Sequence, residues 1–290
     1  MQTGAGEVDM VSTIISNIIR AALGGALLVP LAAQANEGPR LQTAPINSHD
    51  LASLQSGARI FVNYCLNCHS AGYMRYNRLR DLGLSEQQIG DNLIFTGVKV
   101  GELMQVAMDK KDAKEWFGVA PPDLTVTARS RSSGAGSGAD WIYAYLRSFY
   151  RDPSRPTGWN NLVYANVGMP HVLWQLNGQQ QLHEEVFESE HAAKAALIAT
   201  KGVAQLEETR EVKDGKTVDR FVLKTLTPGA GTLSQLEYDK TVNDLVNYMN
   251  YMAEPARLER RQIGIYALLL LGVLFILVFA LKKSYWKDIH

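Results

Sequence analysis

Hydrophobic residues are concentrated towards the two ends of the chain, with a mixed pattern between them. Residues 21–35 form a short apolar run that ends in Ala33-Gln34-Ala35, which is typical of a signal-peptide cleavage site. Residues 263–281 carry no charge and predict a membrane-spanning helix about 28 Å long. We therefore expect four parts: a signal peptide (1–35), one folded domain (36–262), a transmembrane helix (263–281) and a short tail (282–290).

The N-terminal run departs from a standard signal peptide in one respect. Glu7 and Asp9 stand where positive charge is usual, although a start at Met10 would remove both acids. Pro30 interrupts the run, which disfavours the alternative of a retained N-terminal membrane helix. We place the start of the mature chain near Asn36.

Most periodic segments inside the folded domain predict helices. They are Ser56–Tyr64, Ser85–Leu93, Gly101–Asp109, Asp140–Tyr150 and Tyr238–Ala253. Ser56, Ser85 and Asp140 are the predicted N-caps, and Ser85-Glu86-Gln87-Gln88 resembles a capping box. In the last helix, apolar residues recur at i, i+3, i+4 and i+7.

The segment over residues 178–231 has a different, polar character. Asp214-Gly215 stands between two short alternating runs within residues 211–226, which predicts a β-hairpin. Residues 129–139 are rich in Gly and Ser and predict a flexible loop. The expected fold class is mainly α, with a small β insertion and one C-terminal transmembrane helix.

The two cysteines carry the clearest chemical signal. The 29 basic and 29 acidic residues balance, so the charge gives no support for a nucleic-acid-binding protein. Both cysteines stand in Cys65-Leu66-Asn67-Cys68-His69, the C-x-x-C-H attachment motif of a c-type haem. Two thiols on one helical turn can form thioethers with one porphyrin, and the adjoining imidazole then serves as the proximal iron ligand.

Three other interpretations of the motif are weaker. A zinc site would need further cysteines or a pair of histidines. A thioredoxin-like redox pair accounts for C-x-x-C but not for His69. A disulfide across two intervening residues would be strained. We therefore expect one haem c, attached through Cys65 and Cys68, in a cytochrome c-like domain.

Covalent haem also predicts the compartment. In bacteria this attachment takes place outside the cytoplasmic membrane, so residues 36–262 are expected in the periplasm and residues 282–290 in the cytoplasm. The charges beside the span do not decide the orientation by themselves, because three arginines precede it and three lysines follow it.

The second axial ligand decides whether the haem carries electrons or binds small molecules. Met169 lies in Asn166-Val167-Gly168-Met169-Pro170, an irregular segment that can present its sulfur to the iron. His171 is the rival at the same place. The other candidate methionines lie too close to His69 or fit core positions: Met74, Met104, Met108, Met249 and Met252. Met169 is the predicted ligand, whereas a vacant site would favour a gas sensor or a peroxidase.

Several motifs in order resemble the cytochrome c1 family. They are the haem motif, Pro121-Pro122-Asp123-Leu124, Arg129-x-Arg131, Gly168-Met169-Pro170 and the single C-terminal anchor. The resemblance covers residues 57–286, and it is loose over residues 178–231 and in the loop after Arg131. It implies His69 and Met169 as iron ligands and Arg131 as the haem-propionate partner. It also implies that Tyr73 and Tyr76 lie near the haem edge.

Members of this family are haem subunits of the ubiquinol–cytochrome c oxidoreductase (cytochrome bc1) complex. The resemblance implies an electron-transfer subunit, not an enzyme by itself, in the bacterial inner membrane. It would accept electrons from a Rieske iron–sulfur protein, reduce a c-type cytochrome, and pack against cytochrome b in a dimeric complex. The alternatives are a membrane-anchored electron shuttle outside such a complex, or a haem sensor or peroxidase.

A group of glutamates provides a further hypothesis about the acceptor. Glu184, Glu185, Glu188 and Glu190 are close in sequence and could steer a basic electron acceptor. A merely solvated acidic face accounts for them equally well.

Overall fold

A computed structural model describes residues 41–213 and 216–287 of the chain. The predicted signal peptide and the predicted turn residues Asp214-Gly215 lie outside the described residues. So does the end of the predicted tail, residues 288–290.

Helices dominate the described part of the chain. They are α1 (Leu51–Ile60), α2 (Glu86–Leu93), α3 (Lys110–Phe117), α4 (Thr127–Ser130), α5 (Gly138–Arg147), α6 (Trp174–Asn177), α7 (Glu190–Ala199), α8 (Gln235–Ala253) and α9 (Arg257–Tyr285). A π-helical turn (Phe61–Cys65) continues α1, and a 3-10 helix covers Tyr76–Leu82. The strands are β1 (Ala71–Arg75), β2 (Leu103–Met104), β3 (Phe149–Arg151), β4 (Trp159–Asn161), β5 (Gln181–Phe187), β6 (Gln205–Lys213) and β7 (Lys216–Thr227). The predicted mainly α class is confirmed.

The centre of the core is the crossing of α1 and α8. A Cβ added at Gly57 would lie 1.9 Å from the carbonyl oxygen of Asp244, so only glycine allows the two backbones to approach this closely. Beside the crossing, the Ser53 hydroxyl donates to the buried Asp244 carboxylate at 2.7 Å. The predicted apolar face of α8 is buried, including Leu245 and Met249.

Residues 178–231 form a small subdomain on one side of the helices. Its strands pair antiparallel in the order β5-β7-β6, and α7 covers one face over a small core that includes Leu206 and Phe221. The hairpin between β6 and β7 agrees with the prediction, while β5 and α7 were not predicted. The two chain segments that lead into and out of the subdomain lie close together. A Cβ added at Gly229, near its end, would lie 2.3 Å from the backbone nitrogen of Gln179, near its start.

Two of the three predicted helix N-caps differ from the sequence predictions. Asp50, not Ser56, caps α1, because its side chain accepts from the Ser53 amide. Asp140 is not an N-cap: Ser137 caps α5, and Asp140 is its reciprocal partner in a capping box. The predicted Ser85 capping box is confirmed, with Gln88 as the partner residue.

The helix predicted over Gly101–Asp109 is wrong. Met104 instead pairs with Ala71 across β1 and β2, and the Tyr76 amide donates to the Glu102 carbonyl. This short apolar run is buried by pairing with the segment that follows the haem motif. A tertiary contact therefore overrides the local helical pattern.

Helix α9 contains the predicted membrane span. Among the described residues it is the one helix long and apolar enough to cross a bilayer. Its large side chains, such as Leu270 and Phe275, are mostly exposed, as expected for a helix whose environment is lipid.

Candidate haem site

Five of the predicted site residues line one cavity. It has a volume of about 360 Å³, and its walls include Cys65, Cys68, His69, Arg131 and Met169. The remaining lining is mainly apolar and aromatic. Residues more than one hundred positions apart in the chain thus line the same cavity. Apolar cavities of this type commonly bind prosthetic groups.

The C-x-x-C-H motif is positioned by the end of the first helix. In the π-helical turn, the Leu66 amide donates to the Phe61 carbonyl at 3.0 Å. The Cys68 and His69 amides then both donate to the Cys65 carbonyl. Such π-helical turns often occur at functional sites, and this one brings both thiols and the imidazole to the same cavity.

The environment of Cys65 disfavours a redox-active pair. Burial, together with neighbouring Cys68, raises the pKa of Cys65 to about 12. Redox-active C-x-x-C motifs depend on a lowered thiol pKa, so this environment is unsuited to disulfide exchange.

His69 is oriented by the loop over residues 121–124. Its Nδ1 lies 2.7 Å from the Pro122 carbonyl oxygen. A carbonyl oxygen only accepts, so Nδ1 carries the proton and Nε2 is left with a lone pair for a metal. Burial lowers the pKa of His69, although the hydrogen bond to Pro122 and the charge of Asp123 oppose this effect. A neutral, oriented imidazole is the form that ligates iron.

Asp123 fixes this loop to the chain that follows the haem motif. One carboxylate oxygen accepts from the Gly72 amide at 2.6 Å. The other accepts from the amide and the hydroxyl of Thr125 at 2.8 and 2.5 Å. The Leu124 amide also donates to the Ser70 carbonyl. The position of the Pro122 carbonyl therefore depends on Asp123.

Met169 reaches the cavity from an irregular loop held by asparagine side chains. Asn166 has a positive φ of 60°, its amide donates to the Asn160 side chain, and its carbonyl accepts from Arg155. Within the cavity, the Tyr145 hydroxyl donates to the Met169 sulfur at 3.4 Å. The thioether is thus held by side chains from elsewhere in the fold.

Arg131 supplies the positive charge in the cavity wall. Its guanidinium lies 4.4 Å from the centre of the Trp141 ring and 5.9 Å from that of Tyr164. These aromatic faces orient the side chain and leave it available to a carboxylate. The loop between Arg131 and α5 makes a tight turn, in which Ser133 and Gly136 pair.

Tyr73 and Tyr76 are not brought into the cavity. Tyr73 is 85% exposed and Tyr76 is buried in the core, where its hydroxyl bonds to the side chain of Thr96. Tyr73 lies in β1 and Tyr76 begins the 3-10 helix, and neither is among the residues that line the cavity. Their proximity to the haem edge stays a prediction that these positions do not support.

The rival axial ligands differ in whether they line the cavity. His171 does not line the cavity and stacks on Phe149 with ring centres 4.8 Å apart. Burial lowers its pKa to about 4, and its Nε2 is without a hydrogen-bond partner among the described residues. Met74 and Met104 are core residues that do not reach the cavity, whereas Met249 does line it.

Taken together, the donors fit a haem c. Two thiols, an imidazole nitrogen and a thioether sulfur are the groups that attach and ligate it, and Arg131 can neutralise a propionate.

The sequence reasoning missed Tyr145 and Trp141. Their spacing of four residues on the α5 face was the available signal, but nothing local indicated that this face meets Met169.

Comparison with known proteins gives a consistent picture. The model of the Cytochrome C1 family matches residues 42–200 and 231–289. A cytochrome c1 of Allochromatium vinosum is 46% identical over 266 residues, covering 91% of this chain and 96% of that protein. A cytochrome c1 of Rhodospirillum rubrum is 25% identical over 303 residues, covering 96% of this chain and 99% of that protein.

A third relative has a different name. The ammonia monooxygenase gamma subunit of Nitrosomonas europaea is 44% identical over 265 residues, covering 91% of this chain and 95% of that protein.

The family match leaves out residues 201–230, which hold β6, β7 and their connection. The matched residues include every one that lines the haem cavity. The chain therefore belongs to the cytochrome c1 family of bacterial type, whose members are membrane-anchored, haem-carrying electron-transfer subunits.

Proposed function

We propose that this chain is the haem subunit of a cytochrome bc1 complex. It accepts single electrons from a Rieske iron–sulfur protein and passes them to a c-type cytochrome. One haem c is attached through Cys65 and Cys68, with His69 and Met169 as the iron ligands. The observation that carries the proposal is the convergence of these four residues on one cavity, with Nδ1 of His69 already engaged by Pro122.

The chain's own residues set the conditions for electron transfer. Bound haem supplies a centre that gains and loses one electron. The Pro122 carbonyl holds the His69 proton at Nδ1 and so keeps Nε2 free. Tyr145 donates to the Met169 sulfur and restrains it, while the apolar walls exclude water and so favour the less charged, reduced state. Arg131 offsets negative charge at the cavity wall. No side chain needs to act as an acid, base or nucleophile.

The mouth of the cavity offers a surface for redox partners. Phe117 and Val119 line the cavity, and the neighbouring Trp116, which does not line it, is 65% exposed. Exposed apolar side chains around a redox centre suit brief, weak encounters with another protein. The Rieske protein and the acceptor would use this edge at different times.

The hypothesis that four glutamates steer a basic electron acceptor stays a prediction, and two of the four have a lysine nearby. Glu184 lies 3.7 Å from Lys224, and Glu190 lies 2.5 Å from Lys194. Their fields are therefore partly cancelled, which leaves Glu185 and Glu188 as the stronger candidates.

The proposed topology follows from haem attachment. Residues 1–35 act as the signal peptide, residues 36–262 form the periplasmic domain, residues 263–281 span the membrane, and residues 282–290 form a cytoplasmic tail. The span packs against cytochrome b in a dimeric complex of the bacterial inner membrane. Helix α9 supports the anchor, since its exposed apolar side chains need a lipid or protein environment.

Methionine variants of the full-length protein test the axial ligand. Met169→Leu should lower the potential by far more than Met249→Leu and convert a low-spin haem to one that binds carbon monoxide. Met249→Leu is the matched control, because this residue lines the same cavity but belongs to the core. If Met249→Leu alone abolished methionine ligation, the assignment of Met169 would be wrong. Carbon monoxide binding by the unmodified protein would favour a sensor or peroxidase.

Co-purification tests the complex. An affinity tag on this chain should recover cytochrome b and a Rieske protein from mild-detergent extracts. Recovery of neither would favour an independent electron shuttle. Recovery of monooxygenase subunits would favour the role suggested by the name of the Nitrosomonas europaea relative.

A further inference from the structure

A second cleft lies where the folded domain meets α9. It has a volume of about 790 Å³ and shares no lining residue with the haem cavity. Its lining comes from the segment over residues 43–49, the start of α5, Asn250 of α8 and the first turns of α9. The α9 wall presents Arg257, Arg260 and Arg261.

The cleft contains more positive charge than its own carboxylates neutralise. Arg260 pairs with Glu254 at 2.6 Å. In the part of the chain that the structure describes, neither Arg257 nor Arg261 makes an ion pair. Asp140 is the carboxylate in the wall, and its oxygens already accept from the Ala44 amide and from Ser137. The three arginines therefore exceed the two carboxylates, Glu254 and Asp140, by one charge, and neither Arg257 nor Arg261 is ion-paired among the described residues.

Arg261, about 3 Å along the helix before Ile263, stands at the level of the lipid headgroups, and Arg257 lies just beyond their outer edge. Arg257 precedes Ile263, where the apolar span begins, by six residues, or about 9 Å along a helix. The headgroup region on each side of a bilayer is about 5–8 Å thick. Arg257 and Arg261 are also one helical turn apart and share a face, and the start of α9 adds the positive end of its helix dipole.

Membrane topology does not account for these charges. Positive residues beside a span usually lie on the cytoplasmic side. In the orientation proposed above, the three arginines lie on the outer side, where that rule gives no reason for them. A binding role provides one.

We propose that this cleft binds the phosphate group of an anionic phospholipid, held by Arg257 and Arg261. Guanidinium groups match phosphate oxygens with paired hydrogen bonds. The lining also contains Ser48 and His49, which offer polar partners to the rest of the headgroup. Because the cleft joins residues 43–49 to α9, a bound lipid fixes the folded domain relative to the membrane. The choice of the outer leaflet and the argument from topology rest on the proposed function, whereas the cleft and its unpaired arginines do not.

The test uses the full-length, haem-loaded protein in detergent after removal of lipid. Phosphatidylglycerol is added, and bound lipid is counted by native mass spectrometry. The R257Q/R261Q variant should bind it at least tenfold more weakly. The K282Q/K283Q variant is the matched control for the loss of two charges at the other end of α9, and it should weaken binding far less than R257Q/R261Q at the same detergent and lipid concentrations, because it leaves the cleft intact. Glu254→Gln frees Arg260 and should strengthen binding a few-fold.

Parallel titrations identify the source of the phosphate. Phosphatidylcholine and inorganic phosphate should each bind at least tenfold more weakly than phosphatidylglycerol. Equal binding of inorganic phosphate would make this a site for a free anion and overturn the lipid proposal. Equal retention of phosphatidylglycerol by wild type and R257Q/R261Q would overturn it as well. The haem spectrum, recorded on the same samples, reports separately on the proposed function, because the two sites share no residue.

Discussion

The Tyr145 hydroxyl contact makes a quantitative prediction about the reduction potential. Tyr145→Phe removes the donor to the Met169 sulfur at 3.4 Å and leaves the ring in its stack on Trp141, at 4.8 Å. Burial raises the pKa of Tyr145 despite the opposing charge of Arg131, so the hydroxyl stays protonated and keeps donating at neutral pH. The substitution therefore isolates one hydrogen bond.

The direction follows from the electrons of the sulfur. A donor withdraws electron density from the thioether and weakens its stabilisation of the ferric state, so removing the donor should lower the potential. A thioether is a weak acceptor, and a net hydrogen bond is worth about 0.5–1.5 kcal/mol. Taking the lower half of that range, and about 59 mV per 1.4 kcal/mol for one electron, the expected drop is about 20–40 mV.

The assay is a spectroelectrochemical titration of the full-length protein. The charge-transfer band of methionine-ligated ferric haem is recorded in parallel and should persist in the variant. Tyr143→Phe is the control, because Tyr143 is on the same helix and does not line the cavity. A potential unchanged within a few millivolts, or one that rises, would refute the reasoning. Loss of the charge-transfer band would mean that Tyr145 holds the ligand in place instead of tuning it.

Three further predictions concern the loop, the core and the partner surface. Asp123→Ala removes an acceptor of three hydrogen bonds and should lower the free energy of unfolding by about 1–3 kcal/mol. Thermal denaturation should show a lowered midpoint, and the haem spectrum should change because His69 loses its support. Gly57→Ala should lower the free energy of unfolding by about 3 kcal/mol or more, since its Cβ would meet the Asp244 backbone at 1.9 Å. The control Gly90→Ala meets nothing within 4 Å and should stabilise α2 by about 0.5–1 kcal/mol, so equal effects of the two substitutions in chemical denaturation would contradict this account of the crossing. Reversing the charges of Glu184, Glu185, Glu188 and Glu190 should flatten the salt dependence of the rate of acceptor reduction, and an unchanged salt dependence would show that this face is merely solvated.

Local signals in the sequence were sufficient for several elements. The Ser85 capping box and the periodic face of α8 were predicted correctly, because caps and helical faces depend on residues three or four positions apart. The membrane span was equally clear from its apolar length. The C-x-x-C-H motif predicted the haem because its chemistry is contained in five consecutive residues.

Contacts between distant segments decided the rest. The helix predicted over residues 101–109 is replaced by a strand because its apolar residues pair with β1. No local pattern indicated that Pro122 would hold His69 or that Tyr145 would reach Met169. The sequence alone also left His171 as a rival ligand, and only packing places its ring against Phe149, away from the cavity. The sequence by itself therefore determined which groups could bind haem. The tertiary structure decided which of them share one cavity, since that depends on how helices and loops pack across more than one hundred residues.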